Sequence, residues 1–254
     1  MLSFLSLGSG SKGNATLVRG GDTLLLVDCG FSLRDIDARM RSVGLAVSDL
    51  SGVLISHEHG DHVRGLGPLL RKHTLPVWMT HGTRRALRDD RFEGVTEISP
   101  HVGFRVGDLA IEPCPIPHDA SEPCQYRFEY AGRRFAVMTD IGHVTPHVLQ
   151  CAATCDALIL EANHDPDMLR HGPYPWRLQE RIRGGYGHLS NQAGATLLRS
   201  LDIRRLQVTA LGHLSEQNNT PECALQTVGD VTSACDTVLT ALAQGRPSAW
   251  HEIA

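Results

Sequence analysis

The chain lacks several features that would place it quickly, and each absence excludes a class. It has no excess of one charge: 24 Lys and Arg stand against 28 Asp and Glu, a formal net charge of −4. No global electrostatic signature of a nucleic-acid binder is therefore present, and any nucleic-acid contact must be local. It has no paired cysteine spacing; its seven cysteines are odd in number and scattered, which argues against a disulfide framework and fits a reducing compartment. The opening stretch MLSFLSLGSGSKGN carries neither a basic leader nor a long apolar run, so a signal peptide, a membrane span and a membrane partner are not expected, and a cytoplasmic location is. No low-complexity linker or short repeat divides the 254 residues, whose 41% hydrophobic content suits one domain over 1–254.

What the chain does have is histidine, 14 in all, many of them beside Gly, Asp or Pro in predicted loops. Short β-rich runs bounded by Gly, Pro or Asp alternate with longer runs of helical spacing from end to end. LSFLSLG, ATLVRG and TLLLVDCG read as strands, the last ending at Asp28. A helix follows with Ser32 as N-cap, Asp35 in the first turn and Gly44 as the stop. GVLIS is a buried strand, VRGLGPLLRKH helical, PVWMT a strand and GTRRALRDD a short helix. FRVGDLAIEPCPIPH and CQYRFEYAGRRFAVMTD form a meander with a hairpin turn at Ala131-Gly132, ending on Asp140. ALILEANHD is a strand ending in Glu161, Asn163 and His164; NQAGATLLRSL is a helix; RLQVTALGH is a strand ending at His213. Polar residues keep falling at strand ends. β-rich blocks at both ends of the chain suit two sheets packed face to face with helices outside, an α/β fold.

The stretch Ser56–Leu66, SHEHGDHVRGL, concentrates His57, His59, Asp61 and His62 where a strand gives way to a helix. His57 and His59 alternate by two and can point the same way from extended backbone, while Asp61 and His62 start the helix and turn toward a nearby point. Divalent ions need several imidazole or carboxylate donors converging in this way, and the pattern suits two adjacent metals.

On these residues the chain resembles the metallo-β-lactamase-fold hydrolases, whose αββα sandwich of two mixed β-sheets flanked by helices carries metals along one sheet edge. Asp28 in LLLVDCG matches the family's first motif, HEHGDH the second, His118 in PIPHDA the third, Asp140 in AVMTDIG the fourth and His213 in VTALGHLS the fifth. The resemblance implies that His57, His59 and His118 hold one metal and Asp61, His62 and His213 the other. Asp140 bridges them, and Asp28 orients the histidine loop without binding metal. Two cations can share a hydroxide, lower the pKa of that water and polarise the oxygen under attack, so the implied reaction is hydrolysis. A set of histidines and aspartates without thiolate suits zinc and tolerates manganese. Oxygen reductases on this fold carry glutamate where His59 stands, which sets redox chemistry aside.

GSGSKGN at 8–14, EANHD at 161–165, GHLSNQAG at 187–194 and LGHLSEQNN resemble the YycJ (VicX) group, which the family links to 5′-to-3′ DNA exonuclease activity. HLSNQAG is also similar to the histidine motif of ribonuclease Z, where such a histidine helps the leaving group depart. Here it is His188, with Glu161 as the carboxylate that orients it, and Asp61 joins them as a catalytic residue. Neither a β-CASP insertion nor the exosite arm of tRNA-processing enzymes has a counterpart. Ser11, Asn14 and His164 are candidate substrate contacts, although 8–14 also reads as a tight turn and His164 as a surface residue. Cys151 and Cys155 read as core or surface. The arginine groups 84/85/88, 133/134, 181/183 and 204/205 read as solvated faces that leave room for a local basic track. The metal motifs alone equally allow a lactone, thioester or other small-ester hydrolase, and a regulatory protein is a third class. DNA against RNA, exo- against endonuclease action and the oligomeric state stay open.

Overall fold

The structure, a computed structural model, describes residues 1–87, 94–233 and 235–254. Six strands come first: β1 (Leu2–Gly8), β2 (Ala15–Gly20), β3 (Thr23–Val27), β4 (Gly52–Leu54), β5 (Val77–Thr80) and β6 (Val95–Ile98). They form one sheet with the last strand of the chain, β14 (His251–Ile253), in the order β14-β1-β2-β3-β4-β5-β6. The second sheet uses β7 (Phe104–Val106), β8 (Leu109–Pro115), β9 (Cys124–Tyr130), β10 (Arg133–Met138), β11 (Ala157–Glu161), β12 (Val208–Gly212) and β13 (Val238–Ala241), in the order β13-β12-β11-β10-β9-β8-β7. Each sheet is antiparallel at its chain-proximal end and turns parallel from β3 onward and from β10 onward respectively.

Side-chain alternation builds the layers. On β1, Leu2 and Phe4 face the other sheet while Leu5 and Leu7 face helices. The inner layer joins Phe4, Val18, Leu25 and Val27 to Tyr126, Phe128, Phe135 and Ile159, with Phe4 and Phe135 stacked at 4.3 Å. Outside the first sheet lie α1 (Leu33–Ser42), α2 (Gly60–Val63), α3 (Leu66–Lys72) and α4 (His81–Ala86), and Met40, Leu66 and Leu69 of α1 and α3 pack on it. The second sheet is followed by α5 (Pro146–Ala152), α6 (Pro166–His171), α7 (Trp176–Arg183), α8 (Asn191–Arg199) and α9 (Pro221–Thr232); α5, α8 and α9 bury Val148, Leu197 and Val228 on it. Two mixed sheets between helices are the αββα architecture expected.

Local chemistry explains most boundaries. Ser32 caps α1 by accepting from the Asp35 amide, and Gly44 follows the helix at φ +77°. Ala131 and Gly132 form the β9–β10 turn with φ of 50° and 77°. β3, β10 and β12 stop one or two residues before the polar residue, because Asp28, Asp140 and His213 leave the extended conformation, and β4 ends at Leu54, ahead of the histidine loop. The helix expected over 82–90 is α4 as far as Ala86, and residues 88–93 lie outside the described residues. Cys151 and Cys155 pack in the core, although Cys155 lies beyond the end of α5. No helix among the described residues is long and apolar enough to cross a membrane.

Candidate metal centre and active site

The carboxyl ends of β3, β4, β8, β10, β11 and β12 meet at one edge of the sandwich, where the parallel strands of both sheets end. Crevices outside such strand ends collect ligands in open α/β sheets. Asp28, Asp140 and His213 each leave their strand with a left-handed backbone, at φ 62°, 62° and 56°. Asp and His tolerate that region better than most residues, at a local strain on the order of 1–3 kcal/mol. The turn swings each side chain out of the pleat and into the crevice.

Two clusters of donor atoms result. In the first, His57 Nε2 lies 3.1 Å from His59 Nδ1, which is 3.2 Å from His118 Nε2. In the second, Asp61 Oδ2 is 3.4 Å from both His62 Nε2 and His213 Nε2. Asp140 stands between them, with Oδ2 3.5 Å from His62 Nε2 and Oδ1 3.9 Å from His118 Nε2. Tetrahedral ligands at bond lengths of 2.0–2.1 Å sit roughly 3.3–3.4 Å apart, so these separations fit divalent ions. Asp140 Oδ2 is buried with no hydrogen-bond partner, as a carboxylate oxygen reserved for a cation would be. The structure thus brings His57, His59, Asp61, His62, His118, Asp140 and His213 together.

Each of the five histidines has its far nitrogen held. His57 Nδ1 is 3.0 Å from Ser56 Oγ, His59 Nε2 3.2 Å from the Asp119 carbonyl, and His118 Nδ1 3.2 Å from the Gly187 carbonyl. His62 Nδ1 faces Asp28 Oδ2 at 2.8 Å, and His213 Nδ1 faces Glu161 Oε1 at 2.9 Å. These partners fix tautomer and ring orientation so that the remaining nitrogen can ligate. Asp28 also accepts from the Ser56 amide at 2.8 Å, which makes it an anchor behind the loop.

Electrostatics follows this layout. Burial pushes His57 well below an ordinary histidine, and His62, His118 and His59 add to the effect. Burial acts the same way on His62 and His213, yet neighbouring carboxylates outweigh it, Asp140 foremost, and hold both well above the ordinary value. Burial opposes ionisation of Asp61, Asp140 and Glu161, but surrounding imidazoles keep all three below the usual carboxylate range.

Glu161 reaches further than expected. Its Oε1 accepts from His188 Nδ1 at 2.9 Å as well as from His213, and its Oε2 accepts from the amides of Ile141 (2.8 Å) and Leu189 (3.1 Å). It falls with Asp140, His188 and His213 in a fourth group of possible ligands. Its oxygens are already occupied by these four donors, so orientation of the two rings is the role that fits it. The cleft in front of the clusters has a volume of about 360 Å³; Ser11, His59, Asp61, Asp140, His188 and His213 line it, and Leu178 and Arg181 of α7 cover it.

Two candidate contacts lie elsewhere. Asn14 is buried behind the second cluster, its Nδ2 3.4 Å from Asp61 Oδ2 and 3.2 Å from His62 Nε2, so it braces these ligands and does not face the cleft. His164, expected at the surface or on substrate, is buried and borders a neighbouring cavity; burial lowers it to about 4, so it is neutral. Several of the arginines sit in ion pairs, as solvated faces would. Arg133 and Arg205 both pair with Asp156, Arg134 with Glu129 and Arg204 with Asp202. Asp156 precedes β11, at the end of that strand opposite the site, roughly 16 Å away at 3.3 Å per residue. Arg181 alone of these groups lines the cleft, bonded to Asp119 at 2.6 Å, and Arg88 lies outside the described residues. Sequence reasoning missed Ser56 and Asp119, each adjacent to a ligand histidine, and Gly187; nothing in their own residue types marks them.

Fold and site together define a class: the chain belongs to the beta-lactamase superfamily, whose domain matches residues 23–209. Within it, exodeoxyribonuclease WalJ of Streptococcus pneumoniae is 35% identical over 237 residues, covering 91% of this chain and 88% of that protein. Exodeoxyribonuclease YycJ of Bacillus anthracis is 36% identical over 236 residues, covering 91% and 89%. The metallo-beta-lactamase fold protein YhfI from Bacillus subtilis shares the fold, with a TM-score of 0.74 at 16% identity over 98% of this chain and 100% of that one. The YycJ-type resemblance of the motifs is borne out, and the His and Asp donors suit divalent metal ions.

Proposed function

We propose that this chain is a divalent-metal phosphodiesterase that removes nucleotides from the 5′ ends of DNA, as a single domain working in the cytoplasm. The observation that carries the reading is His188, held by buried Glu161 on the wall of the cleft that the donors His59, Asp61, Asp140 and His213 also line. Two relatives named exodeoxyribonuclease, alike over nine-tenths of the chain, support DNA as the substrate. Seven free cysteines support a reducing compartment.

His57, His59 and His118 would hold one ion, and Asp61, His62 and His213 the other, with Asp140 serving both. Zinc or manganese fits this donor set, and a bound pair would acidify a water and polarise a phosphate oxygen. As the water oxygen bonds to phosphorus, the bond from phosphorus to O3′ of the terminal nucleotide breaks. O3′ departs as an alkoxide that needs a proton. His188 in its cationic form gives it from Nε2 and keeps the Nδ1 proton on Glu161; such general-acid help is typically worth about 10² to 10⁴-fold. Asp61 would help hold the second ion beside the cleft. Ser11, on the cleft wall, contacts the strand that remains.

The test is digestion of end-labelled single- and double-stranded DNA and RNA by protein reconstituted with Zn²⁺ or Mn²⁺, beside bis(p-nitrophenyl) phosphate and a lactone. Stepwise loss of nucleotides from the 5′ end of DNA supports the reading. Lactone hydrolysis with intact nucleic acids would overturn it.

A further inference from the structure

A second cavity, of about 470 Å³, lies on the far side of His188 from the metal cleft, and the His188 ring borders both. Val144, Pro166, Leu189 and Ala193 give it apolar walls, and Arg183 stands at its side, its charge partly offset by Glu180. Its size lies within the range of small-molecule pockets, which begins at about 300 Å³. Tyr186, 65% exposed, sets its ring edge-on to that of His143, a lining residue, with 6.5 Å between centroids.

One polar group lining this cavity offers an acceptor. His164 is 3% exposed, and its Nδ1 lies 3.3 Å from Asn163 Oδ1. The Asn163 amide is pinned because its Nδ2 donates to the His213 carbonyl at 2.8 Å. Oδ1 must therefore accept, and the imidazole donates from Nδ1. That leaves His164 Nε2 as an acceptor on the wall of a cavity that Arg183, Ser190 and Thr196 also line. An acceptor facing a cavity favours an occupant that brings a donor to it.

Direction of departure identifies the occupant. His188 delivers its proton to the leaving oxygen, so whatever carries that oxygen lies beside His188, away from the ions. We infer that this cavity is the seat of the departing 5′-terminal nucleoside, with its base against Val144, Pro166, Leu189 and Ala193 and a hydroxyl or amine donating to His164 Nε2. The inference rests on the nuclease reading and adds to it a substrate subsite. Arg183 borders the seat, where a terminal phosphate finds a cation. One nucleoside fills the seat, so the product is a mononucleotide.

Binding of thymidine 5′-monophosphate, thymidine and inorganic phosphate to the metal-reconstituted full chain, followed by calorimetry, tests this directly. Thr196→Trp fills the cavity from the exposed face of α8, and Ala193→Leu fills it from the wall. Both variants are expected to weaken thymidine 5′-monophosphate by about tenfold or more while phosphate stays within about twofold. His164→Phe, which keeps the ring volume and deletes the acceptor, should weaken thymidine as well as its monophosphate. Thr196 is exposed, so that variant folds even if Ala193→Leu does not. Unchanged nucleotide binding in folded Thr196→Trp protein, or release of oligonucleotides instead of mononucleotides from DNA ends, would overturn the inference. Failure of the parent reading looks different: no DNA cleavage by the wild type, whatever the nucleotide titrations show.

Discussion

Glu161→Gln keeps the side chain's size and removes one acceptor, and the fully buried site leaves the glutamine no freedom to adapt. The backbone amides of Ile141 and Leu189 can only donate, at 2.8 and 3.1 Å, so the glutamine carbonyl must take the Oε2 position. Its NH₂ then faces Nδ1 of both His188 and His213, each 2.9 Å from Oε1 in the wild type. To avoid donor against donor, both rings must accept at Nδ1 and move their proton to Nε2. For His213 that is the nitrogen turned toward Asp61 at 3.4 Å, which then has no lone pair for the second ion. Loss of such a partner typically lowers metal affinity about 10–100-fold, while a hydrogen bond to a charged acceptor is worth about 1.5–3 kcal/mol, and the two scales agree at 1.4 kcal/mol per decade. Chelator competition with Zn²⁺ or Mn²⁺ should show one ion bound as in the wild type and the other about 10–100-fold weaker. A Glu161 that acted through His188 alone would leave both affinities at wild-type values, and that result would refute the shared-acceptor geometry.

His188→Ala should keep its metals and lose about 10² to 10⁴-fold of its rate on DNA, and far less on bis(p-nitrophenyl) phosphate, whose leaving group needs no acid; equal losses on the two substrates would rule out proton delivery. Gly30→Ala places a Cβ 1.7 Å from the Asp61 carbonyl oxygen, so the loop that carries Asp61 and His62 must move. Overpacking of this kind costs about 1–3 kcal/mol in denaturant melts, and here it should also weaken the second ion; a variant with wild-type stability and metal content would show that the loop yields freely. Neighbouring carboxylates, Asp140 foremost, outweigh burial and raise His62 and His213 well above the ordinary histidine value, which favours their protonated form in metal-free protein, and each must give up a proton to ligate. Metal uptake near pH 7 should therefore release protons, read by calorimetry in buffers of different ionisation enthalpy, and affinity should fall as pH falls. Uptake without proton release would contradict the raised values.

Much of the fold was legible because β-strands with one or both faces buried write their burial into the chain. Leu2 and Phe4 against Leu5 and Leu7, or the unbroken apolar runs of β3, β11 and β12, announce strands, and Ser32 and Gly44 bracket a helix by local hydrogen bonding and backbone freedom. The elements missed have weaker signatures. α7 sets only two apolar residues, Leu178 and Ile182, toward the cleft and buries none of its residues, α5 and α6 are short, and β6, β13 and β14 are half-covered edge pieces of three or four residues; α9 is the exception, missed although Thr220 caps it and Ala224 and Val228 are buried. The metal loop was legible for a similar reason, since His57, His59, Asp61 and His62 are neighbours whose spacing alone lets them converge.

The sequence by itself determined most of the strands, the first helix, the donor loop and, through motif order, the family. Tertiary structure alone decided which far partners meet: Glu161 with both His188 and His213, Asn14 behind Asp61 rather than on the cleft, His164 inside a second cavity, and Arg133 and Arg205 on Asp156. Local signals arise from backbone geometry and side-chain period, which act over a few residues. A hydrogen bond between positions 52 residues apart, as between Glu161 and His213, depends on where the packing of two sheets brings their strand ends, and no local pattern in the chain encodes that.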